Sequence, residues 1–122
     1  MSEEVYFFDT YALFSILNKN PNYEAYLQKK AVINDFVFAE FCYNLFKDKD
    51  KNAEENISEI KDYIEHADPQ WIKEAMKFRL EWKDRKVSMT DCVGYIMAKH
   101  LGIKFLTGDK EFEGLDNVEF VK

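Results

Sequence analysis

Apolar and polar positions along the chain switch repeatedly between a strand-like and a helix-like period. Val5-Tyr6-Phe7-Phe8 is an unbroken run of large apolar side chains that ends abruptly in Asp9-Thr10. Such a run predicts a strand buried on both faces, as in a parallel sheet covered by helices. Beyond it Tyr11, Ala12, Leu13, Ile16 and Leu17 take helical spacing, and Asn18 to Asn22 around Pro21 stop the helix. Tyr23, Tyr26 and Leu27 support a short second helix ahead of Lys29-Lys30. Ala31-Val32-Ile33 predicts a second strand, with Asn34 or Asp35 placed to cap the next helix.

The segment from Phe36 to Phe46 is apolar almost all round, which predicts a buried helix. Glu40 interrupts it, with Asn44 one turn on as its obvious polar neighbour. Lys47 to Asn52 alternates charge and reads as a solvated connection. Ile57, Ile60 and Ile64 mark one face of an amphipathic helix, and Asp68-Pro69 opens another whose Trp71, Ala75, Phe78 and Trp82 form a core stripe. Val87 to Thr90 predicts an extended stretch ending at Asp91, followed by a helix with Val93, Ile96, Met97 and Leu101 on its apolar face. Gly94 and Ala98 give that helix a narrow strip for close approach to the sheet, and Gly102 is its expected C-cap. Ile103 to Leu106 is the next strand, ending in Thr107-Gly108-Asp109, and Val118 to Val121 is the last. Strands alternating with helices predict an α/β fold with a mostly parallel sheet, in a single domain spanning residues 1–122 without repeat or linker.

Composition narrows the class. Apolar residues are 47% and aromatics 16%, enough for a substantial core, and no apolar run reaches the ~20 residues of a membrane helix. Met1-Ser2-Glu3-Glu4 is acidic, with no apolar stretch of a signal peptide, and Cys42 and Cys92 lack CxxC spacing. Together these lead to the expectation of a cytoplasmic protein with reduced core thiols. A net charge of −6 argues against a broad, unselective nucleic-acid surface. The one dense basic patch surrounds Arg79 and Arg85, the only arginines, with Lys77, Lys83 and Lys86 nearby; its simplest reading is a solvated helix end.

The candidate chemistry lies in four acids. Strands of a parallel sheet share direction, so their C-terminal ends share one edge, where ligands bind. Asp9, Asp91 and Asp109 are expected to converge there although they are far apart in sequence, with Glu40 set in an apolar helix. Taken singly, Asp9 could be only a helix cap and Glu40 could reach solvent at the edge of the core. Clustered carboxylates repel unless protonated or neutralised, and hard oxygen donors select Mg²⁺ or Mn²⁺. Such a centre suits metal-assisted hydrolysis of a phosphodiester. The phosphate-loop, dinucleotide and serine-hydrolase motifs are missing, and neither His66 nor His100 has metal-ligand spacing.

Four short motifs carry a family resemblance. Phe8-Asp9-Thr10, Ala39-Glu40-Phe41, Thr90-Asp91 and Leu106-Thr107-Gly108-Asp109-Lys110-Glu111-Phe112 resemble the acidic motifs of PIN domains, in order and with separations of 31, 51 and 18 residues between successive acids. The last motif is the most specific. The resemblance covers nearly the whole chain and implies a three-layer α/β/α fold around a five-stranded sheet. It also implies a divalent-metal-dependent endoribonuclease, and the small size resembles VapC-type toxins of toxin–antitoxin pairs. Carried across motif by motif, Asp9, Glu40, Asp91 and Asp109 are the expected catalytic metal ligands for Mg²⁺ or Mn²⁺. Thr10 and Thr107 are expected beside the metal or phosphate, and Asn44 as a partner of Glu40. RNA as substrate, an antitoxin protein as partner and a homodimer are implied in the same way, with the aromatic stripe Trp71, Phe78 and Trp82 a candidate dimer face. The acidic balance favours a narrow RNA target, low intrinsic activity or a basic partner. The rival readings are a PIN-like protein-interaction module without catalysis and, more remotely, a phospho-receiver domain. The latter conflicts with the helical setting of Glu40.

Overall fold

The computed structural model describes residues 4–122; the acidic Met1-Ser2-Glu3 start lies outside them. Four strands form one sheet: β1 (Val5–Phe8), β2 (Lys30–Val32), β3 (Lys104–Thr107) and β4 (Val118–Phe120). Their order is β2-β1-β3-β4 and every pairing is parallel, with Phe7 beside Val32 on one side and Phe105 on the other. The five-stranded expectation is corrected to four among the described residues. Ile33 adds one isolated parallel bridge to Ile64, and Val87-Ser88 does not join the sheet.

Five helices cover the sheet: α1 (Thr10–Leu17), α2 (Asp35–Lys47), α3 (Ala53–Ile60), α4 (Pro69–Glu81) and α5 (Met89–Leu101). The short second helix expected from Tyr23, Tyr26 and Leu27 is a 3₁₀ helix, Pro21–Tyr26, capped by Asn20. Successive strand residues face opposite sides. Phe8 accordingly joins Leu13 and Ile16 of α1 in lining an apolar hollow, while Phe7 lies against Gly94 of α5. A Cβ at Gly94 would stand 2.7 Å from Phe7 Cε1 and 3.0 Å from Phe105 Cε1, so glycine sets how closely α5 seats on the sheet. Ala98 is fully buried on the same helix, and Gly102, at φ 71°, ends it in the left-handed conformation.

The remaining helices complete the core. Asn34 is buried and caps α2 through the Val37 amide at 2.9 Å. That helix is buried only along Val37, Phe41 and Leu45, while Phe36, Tyr43 and Phe46 are exposed. The all-round burial expected of it is therefore corrected: an apolar sequence here supplies one inward stripe and one outward aromatic stripe. On α4, Ala75 is buried, and Phe78 packs on Tyr95 of α5 with ring centroids 5.3 Å apart. Trp71 stacks on His100 of α5, so this aromatic stripe is engaged within the chain.

Candidate active site

In the order β2-β1-β3-β4 the chain leaves β1 for a neighbour on one side and later returns to the other side of the same strand. The crevice outside the carboxyl ends of β1 and β3 is therefore the topological switch point, where an α/β sheet offers a ligand site. Asp9 follows β1, and Thr107 is the last residue of β3.

Asp9 is only 2% exposed and has two structural partners. Its Oδ1 accepts the Ala12 amide at 2.8 Å, capping α1, and its Oδ2 accepts the Thr107 hydroxyl at 2.5 Å. The Asp9 amide donates to the Leu106 carbonyl, so the β1–β3 ladder holds the acid in place. Thr107 Oγ1 also accepts the Asp109 amide at 3.0 Å, and Asp109 Oδ1 accepts the Glu111 amide, capping the 3₁₀ helix Lys110–Phe112. One buried threonine thus locks the turn after β3 to the acid after β1.

The other two acids come from helices. Thr10 Oγ1 donates to Glu40 Oε1 at 2.7 Å, joining the first residue of α1 to the middle of α2. Asn44 makes no hydrogen bond to Glu40, so the expected pairing between them is corrected to Thr10. Asp91 does not end an extended stretch, as the sequence pattern suggests. Ser88 caps α5 by accepting the Asp91 amide at 3.0 Å, which draws Met89, Thr90 and Asp91 into the first helical turn.

All four acids and Thr10 line one open cleft of about 600 Å³. Tyr11, Lys86, Ser88, Gly108, Lys110, Glu111 and Lys122 complete its walls. The Tyr11 ring lies where a side chain at position 108 would stand, so Gly108 is needed for that wall. Of these residues Ser88 had a usable sequence signal, since Ser-x-x-Asp ahead of an apolar periodic run marks a helix start. Lys122 had none. It arrives through β4, and its carbonyl accepts the Asn22 side-chain amide at 2.7 Å.

The electrostatics are those of crowded anions. Burial, then the charges of Asp91 and Asp109, push the Asp9 carboxyl well above the usual range, against the opposing pull of Thr107 and the Ala12 amide. Burial pushes Asp91 up to about 6; the Ser88 hydroxyl opposes this, and Glu40 and Asp109 add to it. None of the four acids has an ion-pair partner among the described residues. No three His, Cys, Asp or Glu side chains among those residues form a ready-made metal cage, so the acids line an open cleft. Their donor chemistry, carboxylate oxygens gathered without an ion-pair partner among the described residues, fits a hard divalent ion.

The family model for the PIN domain matches residues 6–118. The chain belongs to the PIN-domain family. Solved structures with the same fold include VapC20 of Mycobacterium tuberculosis, a toxin that cleaves the sarcin–ricin loop. It is 17% identical, with a TM-score of 0.77, over 96% of this chain and 99% of that one. A toxin–antitoxin complex from Klebsiella pneumoniae gives a TM-score of 0.75 at 17% identity, over 93% and 94% of the two chains. VapBC2 of Rickettsia felis, bound to a promoter DNA fragment, gives 0.70 at 18% identity, over 97% and 99%. No curated protein matches the sequence significantly. No helix among the described residues is long and apolar enough to cross a membrane.

Proposed function

We propose that this PIN domain is a divalent-metal-dependent endoribonuclease and the toxin of a toxin–antitoxin pair. The observation that carries the reading is the convergence of Asp9, Glu40, Asp91 and Asp109 on one cleft without a basic partner. The toxin role rests on the shared fold of the VapC proteins and complexes.

Each residue has a definable task. Asp9, Glu40, Asp91 and Asp109 would hold Mg²⁺ or Mn²⁺, which supplies charge neutralisation of the phosphodiester and activation of water. Thr107 keeps Asp9 oriented by its hydroxyl, and Thr10 does the same for Glu40. The N-termini of α1 and α5 carry partial positive charge toward the acids that begin them, which lowers the cost of gathering anions there. Lys86, Lys110 and Lys122 on the walls meet the phosphates flanking the scissile bond. Hydrolysis adds water across the P–O bond, and a proton passes from that water to the departing ribose oxygen. Glu111, the acid lining the cleft that is not assigned to the metal, would serve as the base that accepts the proton of the water.

The deciding experiment incubates purified protein with a mixed RNA pool in Mn²⁺, in EDTA, and with Asp91→Asn as control. Products that need the metal and vanish in the variant are expected. Cleavage that persists in EDTA, or in Asp91→Asn, removes the assignment. Neither cleavage nor stabilisation by Mn²⁺ would favour a protein-interaction module in its place.

A further inference from the structure

Apart from Lys86, the dense basic patch is left unused by the four-acid centre. The structure gives it a shape. Arg79, Lys83 and Arg85 line a separate hollow of about 310 Å³ with Met76, Leu80 and Val87. All three cations are exposed, and none is in an ion pair among the described residues. Glu81 and Asp84 lie on the same segment, yet no acid lines the hollow. In a chain of net charge −6, three cations without an ion-pair partner among the described residues, set around apolar side chains, make a localised positive patch.

This hollow adjoins the acid cleft through a held loop. Lys86 and Ser88 line the cleft, while Arg85 and Val87 line the hollow, so residues 85–88 form the wall between them. Three hydrogen bonds fix that wall. Arg79 Nε donates to the Val87 carbonyl at 3.2 Å, Arg85 Nη1 donates to the Glu111 carbonyl at 2.9 Å, and the Lys86 amide donates to Glu111 Oε1 at 3.3 Å. Arg85 also lies 4.3 Å from the Trp82 ring centroid, which stiffens its stem and leaves further guanidinium N–H groups free. Leu80 is 70% exposed and gives the hollow an apolar surface of the kind a ribose or base can rest on.

We propose that the hollow formed by Arg79, Lys83 and Arg85 grips the RNA strand next to the scissile bond, with the strand crossing the wall at Lys86. Fixed guanidinium and ammonium donors recognise phosphate without reading sequence, whereas an apolar shelf accepts any base face. The hollow thus reconciles an acidic protein with an RNA substrate: it adds a phosphate grip beside the lysines of the cleft, and the strand enters from that side. The inference rests on the nuclease reading of the cleft and extends it to the direction of substrate entry.

The test measures binding of a fluorescein-labelled phosphorothioate single-stranded RNA of mixed sequence in Mn²⁺, by anisotropy across a salt series. Lys83→Ala/Arg85→Ala is compared with the parent and with Lys51→Ala/Lys61→Ala, whose lysines line neither concavity. The first double variant is expected to bind several-fold more weakly, with a salt slope reduced by about 0.7 per lost phosphate contact. Its KM should rise by more than kcat falls, and the Mn²⁺-induced rise in melting temperature should stay unchanged. The control pair should behave as the parent. If the parent cleaves RNA and Lys83→Ala/Arg85→Ala matches it in affinity and salt slope, the hollow is not a strand site and the nuclease reading stands. If the parent neither binds nor cleaves RNA, the nuclease reading falls and takes the hollow with it.

Discussion

Asp9 and Asp91 both sit at a helix start in the same cleft, but they reach it by different routes. Asp9 is itself the cap of α1, and both its oxygens are engaged, one by the Ala12 amide and one by Thr107. Asp91 lies within the first turn of α5, where Ser88 performs the capping and leaves the carboxylate free of that duty. Asp9 therefore serves the fold as well as the proposed metal centre, whereas the fold has little use for the charge of Asp91. A sequence motif that treats the two acids as equivalent conceals this difference.

The largest expected effect is on cleavage. Asp9→Asn and Asp91→Asn should each reduce metal-dependent RNA cleavage by more than about a hundredfold, since each removes a carboxylate from the centre. Stability should then separate them. Asn at position 9 keeps an oxygen for the Ala12 amide, but Ala keeps nothing. Asp9→Ala should therefore be less stable than Asp9→Asn by about 1–3 kcal/mol, from the lost cap and the stranded Thr107 hydroxyl. At position 91 the Ala and Asn variants should unfold within about 0.5 kcal/mol of each other. Denaturant melts of the four proteins decide the matter; an equal gap at both positions would erase the distinction between the two acids.

The same contrast explains how much is legible in the sequence. The strand ending in Asp9 is legible because an unbroken apolar run before a cap residue leaves few alternatives. Glycine at 94 and 102 is also legible, the first by spacing and the second by its place after the last periodic residue. Asp91 is harder, because Val87-Ser88-Met89-Thr90 has strand-like composition and only the Ser88 cap, a single hydrogen bond, tips it into a helix. Glu40 stands out as an anomaly, but the sequence points to a partner one turn along its own helix. Thr10, thirty residues away in sequence, supplies the hydrogen bond instead. The outward aromatic stripe of α2 is not foreseeable either, since an apolar sequence does not say which of its sides lacks a neighbour. The basic hollow is visible only as a charge run, because its relation to the cleft depends on the three hydrogen bonds that fix residues 85–88.

A smaller effect comes from the proton affinity of Asp91. Its carboxyl is raised to about 6 in the folded protein, so between the ordinary carboxylate value and that point the folded state binds more protons than the unfolded one. Stability contributed by this group must fall as pH rises through that window, by an amount on the order of 2–3 kcal/mol in metal-free buffer. Asp9, raised by burial and by Asp91, acts in the same direction. Asp91→Asn should flatten the profile between pH 4 and 7, on the order of the window these values define, and so gain on the parent as the pH rises. Parallel profiles for parent and variant would mean that the carboxylate of Asp91 is not under strain. Mn²⁺ at a hundredfold excess over its dissociation constant should return about 2.7 kcal/mol to the parent and much less to Asp91→Asn.

The smallest effect separates the two threonines that hold acids in place. Thr107 is fully buried, donating to Asp9 and accepting from the Asp109 amide, so Thr107→Val strands both groups and should cost about 1–3 kcal/mol. Thr10 is half-buried and holds only Glu40, itself partly in contact with water, so Thr10→Val should cost no more than about 1 kcal/mol. Cleavage should respond differently from stability. Glu40 loses the hydroxyl that orients it in Thr10→Val, so activity should drop about ten- to a hundredfold in a protein that melts almost normally. A Thr10→Ser variant, which restores the hydroxyl, should recover most of that activity. If Thr10→Val cleaves RNA as fast as the parent, the hydrogen bond between Thr10 and Glu40 is a feature of the resting cleft and plays no part in catalysis.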